Sequence, residues 1–118
     1  MLRADHSGAS LTATILGCGS STGVPRVGGD WGACDPTEPR NRRRRCSLMV
    51  ERQGEGGITR LLIDSGADLR EQLIDIAATT LDGVLYTHDH ADHIHGIDDL
   101  RVVAIRRRKR VPVYADRR

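Results

Sequence analysis

The chain has 118 residues and a mass of 13.0 kDa, which suits one small domain and is short for two. Apolar residues make up 38% of it, and 18 Lys+Arg against 16 Asp+Glu leave a net charge of only +2. These figures exclude a disordered or collagen-like chain and give no strong bulk drive toward polyanions.

No apolar run approaches the roughly 20 residues of a membrane helix, so no membrane partner is expected. The first ten residues, MLRADHSGAS, lack an apolar core and carry Asp5, unlike a secretory signal. They are expected to form a flexible lead-in, with one domain over 11–118. Three Cys without CxxC spacing exclude a full disulfide framework and fit a reducing, cytosolic compartment.

In chain order, residues 11–17 (LTATILG) alternate apolar and polar and predict a strand. From Gly17 to about Arg45 the chain is rich in Gly, Ser and Pro and reads as a long irregular loop. Such a length points to function or an excursion rather than a simple connector. Residues 46–53 and 58–64 predict two strands joined at Glu55-Gly56-Gly57, a hairpin. From Asp68 to about Thr79, Leu69, Leu73, Ile76 and Ala77 fall at helical spacing, with Asp68 near the N-cap. Residues 82–87 predict a short apolar strand, 97–108 a helix and 111–115 a last strand. The order is that of an α/β fold with a cluster of reactive residues at the C-terminal end of a strand, where open α/β sheets place their sites.

That cluster is histidine-rich: four of the five His lie between His88 and His95. His88 and His90 are two apart, which puts both side chains on one side of an extended segment. Asp92 and His93 follow where a helix is expected to begin, aimed differently. Imidazole and carboxylate are ligands for Zn²⁺, or for Mn²⁺ and Fe²⁺. Two subsites would let two cations share a hydroxide formed near neutral pH. A solvated loop accounts for a lone histidine. It does not account for four His and three Asp within 88–98 behind an apolar strand.

The run His88-Asp89-His90-Ala91-Asp92-His93-Ile94-His95-Gly96 resembles the HxHxDH signature of the metallo-β-lactamase-fold hydrolases. Leu62-Ile63-Asp64-Ser65-Gly66 resembles that family's upstream aspartate motif. The loop Gly17-Cys18-Gly19-Ser20-Ser21-Thr22-Gly23-Val24-Pro25 is similar to the first loop of two branches, the cyclic phosphodiesterases of phosphonate degradation and the tRNA 3′-processing endonucleases. The resemblance runs from about residue 11 to 115. It implies the N-terminal half of an αββα sandwich, a mixed sheet with flanking helices. It implies two divalent ions, Zn²⁺ first, with His88 and His90 on one and Asp92 and His93 on the other. Asp92 would also orient the attacking hydroxide, and Asp64 would hold a ligand histidine in place. His95 lies outside the shared signature.

In this family further ligands come later in the chain, whereas here no histidine follows His95. The 118 residues are therefore expected to hold about two ligands per metal, where a catalytic zinc takes three, and to be inactive alone. The remaining ligands would lie beyond Arg118. The expected activity of the whole protein is hydrolysis of a small phosphodiester by a metal-bound hydroxide, with tRNA 3′ processing as the alternative within the fold. A non-catalytic metal- or nucleic-acid-binding module is the alternative of another class, and RNA is a possible partner.

The loop at 17–23 matches neither a Walker motif nor a dinucleotide fingerprint. Cys18, Cys34 and Cys46 read as ordinary thiols rather than a structural zinc site. The basic runs Arg40–Arg45 and Arg106–Arg110 come without an aromatic platform, since Phe is absent and Trp31, Tyr86 and Tyr114 are scattered. They read as solvated surface rather than a single-strand binding groove. An unpaired half-sheet would expose apolar surface, so self-association is expected.

Overall fold

The computed structural model describes residues 1–6 and 8–117. Six strands form one mixed sheet in sequential order: β1 (Leu2–His6), β2 (Ala9–Gly17), β3 (Ser47–Gly54), β4 (Gly57–Ile63), β5 (Gly83–Leu85) and β6 (Val113–Tyr114). The first four strands pair antiparallel with one another in turn. The β4–β5 and β5–β6 pairs are parallel. Parallel pairs need crossovers, and helices supply them: α1 (Leu69–Asp75) between β4 and β5, then α2 (Ala91–Ile94) and α3 (Leu100–Arg107) between β5 and β6.

The predicted strands and hairpin are present, with Glu55 and Gly56 turning between the paired ends Gly54 and Gly57. Two expectations need correction. Residues 1–10, expected to be a flexible lead-in, contain β1 and the start of β2, whose register runs from Leu2↔Ala13 to His6↔Ala9. The backbone of β2 has a free edge there, and pairing satisfies it whatever the side chains are. Helix α1 ends at Asp75, short of Thr79, because Ala77 turns into the left-handed region at φ 52°. Asp68 occupies the N-cap position without capping. Its carboxylate instead accepts the backbone N, Nε and Nη2 of Arg45 at 2.8–2.9 Å.

The long loop after β2 is tied back on itself. Val24 bridges Arg43, Arg26 bridges Asp30, and a single 3-10 turn forms at Pro39–Asn41. The arginine run inside it is largely engaged. Arg42 lies over the Trp31 ring, Arg44 pairs with Asp75 at 2.6 Å, and Arg45 forks onto Asp68.

Strand alternation sorts the side chains to two faces. Leu16, Met49, Leu62 and Val84 face the helices and pack with Leu69, Leu73, Leu81, Leu100 and Val103 as one buried core. The register places Leu11, Ala13, Ile15, Leu48, Val50, Leu61, Ile63, Leu85 and Tyr114 on the opposite face. None of these is buried; Ile15 is 60% and Tyr114 58% exposed. Among the described residues no element covers this face. A sheet apolar on both sides expects layers on both sides.

Two predictions follow from this packing. The 118-residue chain is expected to elute from gel filtration well ahead of a 13.0 kDa monomer, and Ile15→Glu, which puts a charge in the open face, is expected to shift it toward the monomer. A sharp wild-type monomer peak would show that the open face does not drive association. The second concerns pH. Hydrogen bonds from Arg45, its backbone N–H and its charge hold the Asp68 carboxyl below the usual carboxylate range, against partial burial. A lowered folded-state pKa stabilises the fold above the unfolded value of about 3.9, and that stability is lost as pH falls through the folded value. Asp68→Asn is expected to cost about 2 kcal/mol at pH 7. Denaturant titrations of the two proteins should converge as pH falls through the folded-state value.

Candidate metal centre

The site is built where β4 and β5 end side by side. After Ile63 the chain turns at Asp64, which is 3% exposed and sits in the left-handed region at φ 65°. Aspartate is among the few non-glycine residues that tolerate this conformation. The turn is held from several directions. Asp64 N–H donates to Leu85 O at 2.9 Å, and the Ser47 hydroxyl donates to Asp64 O at 2.8 Å. Ser65 N–H donates to His93 O, and Gly96 N–H returns a bond to Ser65 O, at 2.9 and 2.8 Å. The histidine-bearing turn is thus stapled to the Asp64-Ser65-Gly66 corner. A Cβ on Gly66 would strike Asp92 O, and one on Gly96 would strike Gly66 O. Both glycines are there for close backbone approach.

Hydrogen-bond accounting then fixes the two central imidazoles. The Asp64 carboxylate accepts from Thr87 N–H at 2.8 Å, from the Thr87 hydroxyl at 2.7 Å and from His93 Nδ1 at 2.6 Å. A carboxylate only accepts, so His93 carries its proton on Nδ1. Thr87 has one hydroxyl proton and gives it to Asp64. It therefore accepts from His88 Nδ1, 2.8 Å away. Both rings present an Nε2 lone pair away from these partners, the tautomer that an Nε2 metal ligand needs. His93 Nε2 also lies 3.2 Å from Asp92 Oδ2. A proton on Nε2 or a bound cation satisfies that pair. Donor atoms of Asp64, His88 and His93 all lie within 4.8 Å of one another.

The remaining residues of the sequence motif are placed as follows. His90 is the N-cap residue of α2, with its ring centroid 4.5 Å from that of His88 in an edge-on contact. It is exposed and lies outside the compact three-residue group. The His88 and His93 rings are 4.1 Å apart. Asp92 and His93 open the single turn of α2, where the sequence predicts a helix start. His95 is exposed at the end of that turn. The supporting groups that the sequence reading missed are Thr87 and Ser47. Their only signals were position, Thr87 directly before His88 and Ser47 at the start of a strand. Ser65 also hydrogen-bonds Tyr86 Oη, whose phenol is pushed up chiefly by burial. A cavity of about 420 Å³ between α1 and α3, lined by residues such as Leu73, Ile74, Val102 and Val103, shares no residue with the cluster.

Residues 59–118, which include the Asp64 corner and the whole histidine turn, match the family model of the beta-lactamase superfamily domain. The chain belongs to the beta-lactamase superfamily. A diphosphatase of the PhnP family has a crystal structure that superposes with a TM-score of 0.79 at 43% identity, over 91% of this chain and 42% of that one. YhfI from Bacillus subtilis, a metallo-beta-lactamase-fold protein, superposes at 0.61 with 21% identity over 92% of this chain and 37% of its own. Zn²⁺-bound PqqB from Methylobacterium extorquens superposes at 0.53 with 19% identity over 88% of this chain and 45% of its own. These two show the shared fold. A Porphyromonas gingivalis (strain ATCC BAA-308 / W83) protein named octanoyltransferase is 39% identical over 106 residues, 90% of this chain and 20% of that protein. The chain thus spans less than half the length of each of these relatives. The mixed sheet with flanking helices expected from the sequence is that of part of a metallo-β-lactamase fold, and the His/Asp cluster has the donor set of a divalent-metal site in this hydrolase family.

Asp64→Asn tests the positioning role. An amide cannot accept from Thr87 N–H, Thr87 Oγ1 and His93 Nδ1 together, so the His93 tautomer is no longer imposed. Zinc affinity, read by competition with a chromophoric chelator, is expected to fall by about 10–100-fold. An unchanged affinity would remove Asp64 from the site.

Proposed function

We propose that this chain is the part of a metal-dependent phosphodiester hydrolase that holds His88 and His90 for one divalent ion and Asp92 and His93 for a second, with Zn²⁺ as the first candidate and Mn²⁺ or Fe²⁺ as others. The observation that carries the reading is the hydrogen-bond chain Asp64–Thr87–His88 and Asp64–His93, which engages both Nδ1 atoms and leaves Nε2 of each ring as the ligand atom. When bound, such ions act as Lewis acids and lower the pKa of water.

The chain's own residues supply orientation. Asp64 and Thr87 fix the imidazoles, and the Gly66–Gly96 approach holds the turn against the sheet. Asp92, whose Oδ2 lies 3.2 Å from His93 Nε2, is the residue that would orient an attacking water. Likeness to the PhnP-family diphosphatase supports a phosphoryl substrate.

A small substrate is favoured over RNA. Arg42, Arg44 and Arg45 are engaged with Trp31, Asp75 and Asp68. They do not form a free basic track along which an RNA backbone would lie. The acyl transfer named for the Porphyromonas relative belongs to a protein of which this chain matches one fifth.

With two ligands per ion, the 118-residue chain is expected to retain less than one zinc per chain through gel filtration and to show no turnover of a chromogenic phosphodiester. His93→Ala is expected to abolish even that retention. Close to two retained metals, with turnover abolished by EDTA and by Asp92→Ala, would overturn the half-centre reading. A longer product of the same gene that cleaves precursor tRNA and leaves small phosphodiesters intact would overturn the choice of substrate.

A further inference from the structure

Away from the metal centre, α1 and α3 leave a gap between them. Helix α1 stops at Asp75 and the chain turns left-handed at Ala77. The residues that follow the helix, Ala77 and Ala78, have side chains of one carbon, and with Val102 and Val103 of α3 they line the cavity of about 420 Å³. That volume lies within the roughly 300–1,000 Å³ of small-molecule pockets. The lining also includes buried Leu73 and exposed Ile74, so an apolar surface runs from the core to solvent. Ile74 is 56% and Val102 59% exposed. Each helix adds one guanidinium to the lining, Arg70 from α1 and Arg106 from α3. Arg70 pairs with Glu71. Arg106 is exposed, and among the described residues its guanidinium has no ion pair or hydrogen bond. Asp99, the one carboxylate of the lining, pairs with neither arginine.

We propose that the cavity between α1 and α3 binds a free fatty acid, its alkyl chain in the apolar gap and its carboxylate on Arg106. An apolar pocket with few polar groups holds a ligand by burying its body and pairing its head. A guanidinium suits a carboxylate because it offers two parallel N–H donors. Arg70 adds positive charge from the other helix. Asp99 in the same lining opposes a second negative charge, which favours a monoanion over a phosphate dianion. A membrane surface fits less well. Among the described residues of α3 only Val102 and Ile105 are large, apolar and exposed, too few for the apolar face of a helix lying in a bilayer. The cavity shares no residue with the Asp64, His88 and His93 group, so the proposal stands apart from the metal reading.

The test uses the 118-residue chain with EDTA present, so that a carboxylate cannot act through a bound metal. Decanoate, decanol and decyl phosphate are titrated below their micelle concentrations and followed by calorimetry and by methyl NMR shifts. The expected result is saturable binding of one decanoate per chain, with shifts at Leu73, Ile74, Val102 and Val103. Decanol and decyl phosphate are each expected to bind about 3–10-fold more weakly, and Arg106→Gln to weaken decanoate by a similar factor. Val102→Trp fills the mouth of the cavity from an exposed position and is expected to abolish binding without changing the thermal midpoint. Ile15→Glu, on the open face of the sheet, is expected to bind decanoate as the wild type does. Shifts confined to Ile15, Leu48 and Val50 would place the ligand on the open face and overturn the proposal. It would equally be overturned by decanol binding as tightly as decanoate, by Arg106→Gln binding unchanged, or by capture on anionic phospholipid vesicles with no binding of free decanoate.

Discussion

The structure turns on one buried carboxylate. Asp64 sits in a left-handed turn that costs backbone energy of about 1–2 kcal/mol for most residues, and it is nearly shut off from solvent. Burial of an ionised group is tolerated only when every lone pair in reach is used. Here three donors meet it, two from Thr87 and one from His93. The carboxylate thus joins the end of β4, the end of β5 and the histidine turn through side-chain bonds, while Ser65 and Gly96 join the same segments through backbone bonds. Orientation of the imidazoles is a consequence of this packing: the proton positions follow from who can donate to whom.

The two faces of the sheet explain why the site is rigid on one side and open on the other. Helices α1 and α3 press Leu69, Leu73, Leu100 and Val103 onto Met49, Leu62 and Val84. That burial anchors the strands whose ends carry Asp64 and the histidines. The opposite face is as apolar but remains half-exposed. The same alternation that builds the core also dictates a second layer, so the sheet carries in its own side chains the demand for a sandwich.

Much of this was legible in the sequence. The strand pattern in LTATILG and ITRLLID, the hairpin at Glu55–Gly57 and the HDHADH spacing are local signals, and local signals survive folding. Strand β1 was not legible because the alternation in LRADH rests on Leu2 and Ala4 alone; it forms because β2 offers an unpaired edge. The end of α1 was overestimated because Ile76 and Ala77 keep helical spacing while the backbone turns left-handed. Asp68 takes the N-cap position its spacing predicts, but its side chain does not cap, because Arg45, distant in sequence, claims its carboxylate. In the site, residue types were readable but their supports were not. Nothing in a strand-initial Ser47 announces that its hydroxyl will hold the carbonyl of a strained aspartate.

The arginine-rich loop shows the same limit from the other side. A run of five arginines within 40–45 reads as free positive charge. In the fold each charge is spent locally where a partner is available: Arg44 on Asp75, Arg45 on Asp68, Arg42 on Trp31, Arg43 on Cys18. Exposed pairs of this kind contribute little stability one by one. Their effect is geometric. They pin the returning limb of the loop against α1 and the end of β2, which brings Arg45, Cys46 and Ser47 to the Asp64 corner. The basic run is therefore part of the scaffold that positions the metal-binding turn, and a polyanion would have to compete with those internal carboxylates before it could use the charge.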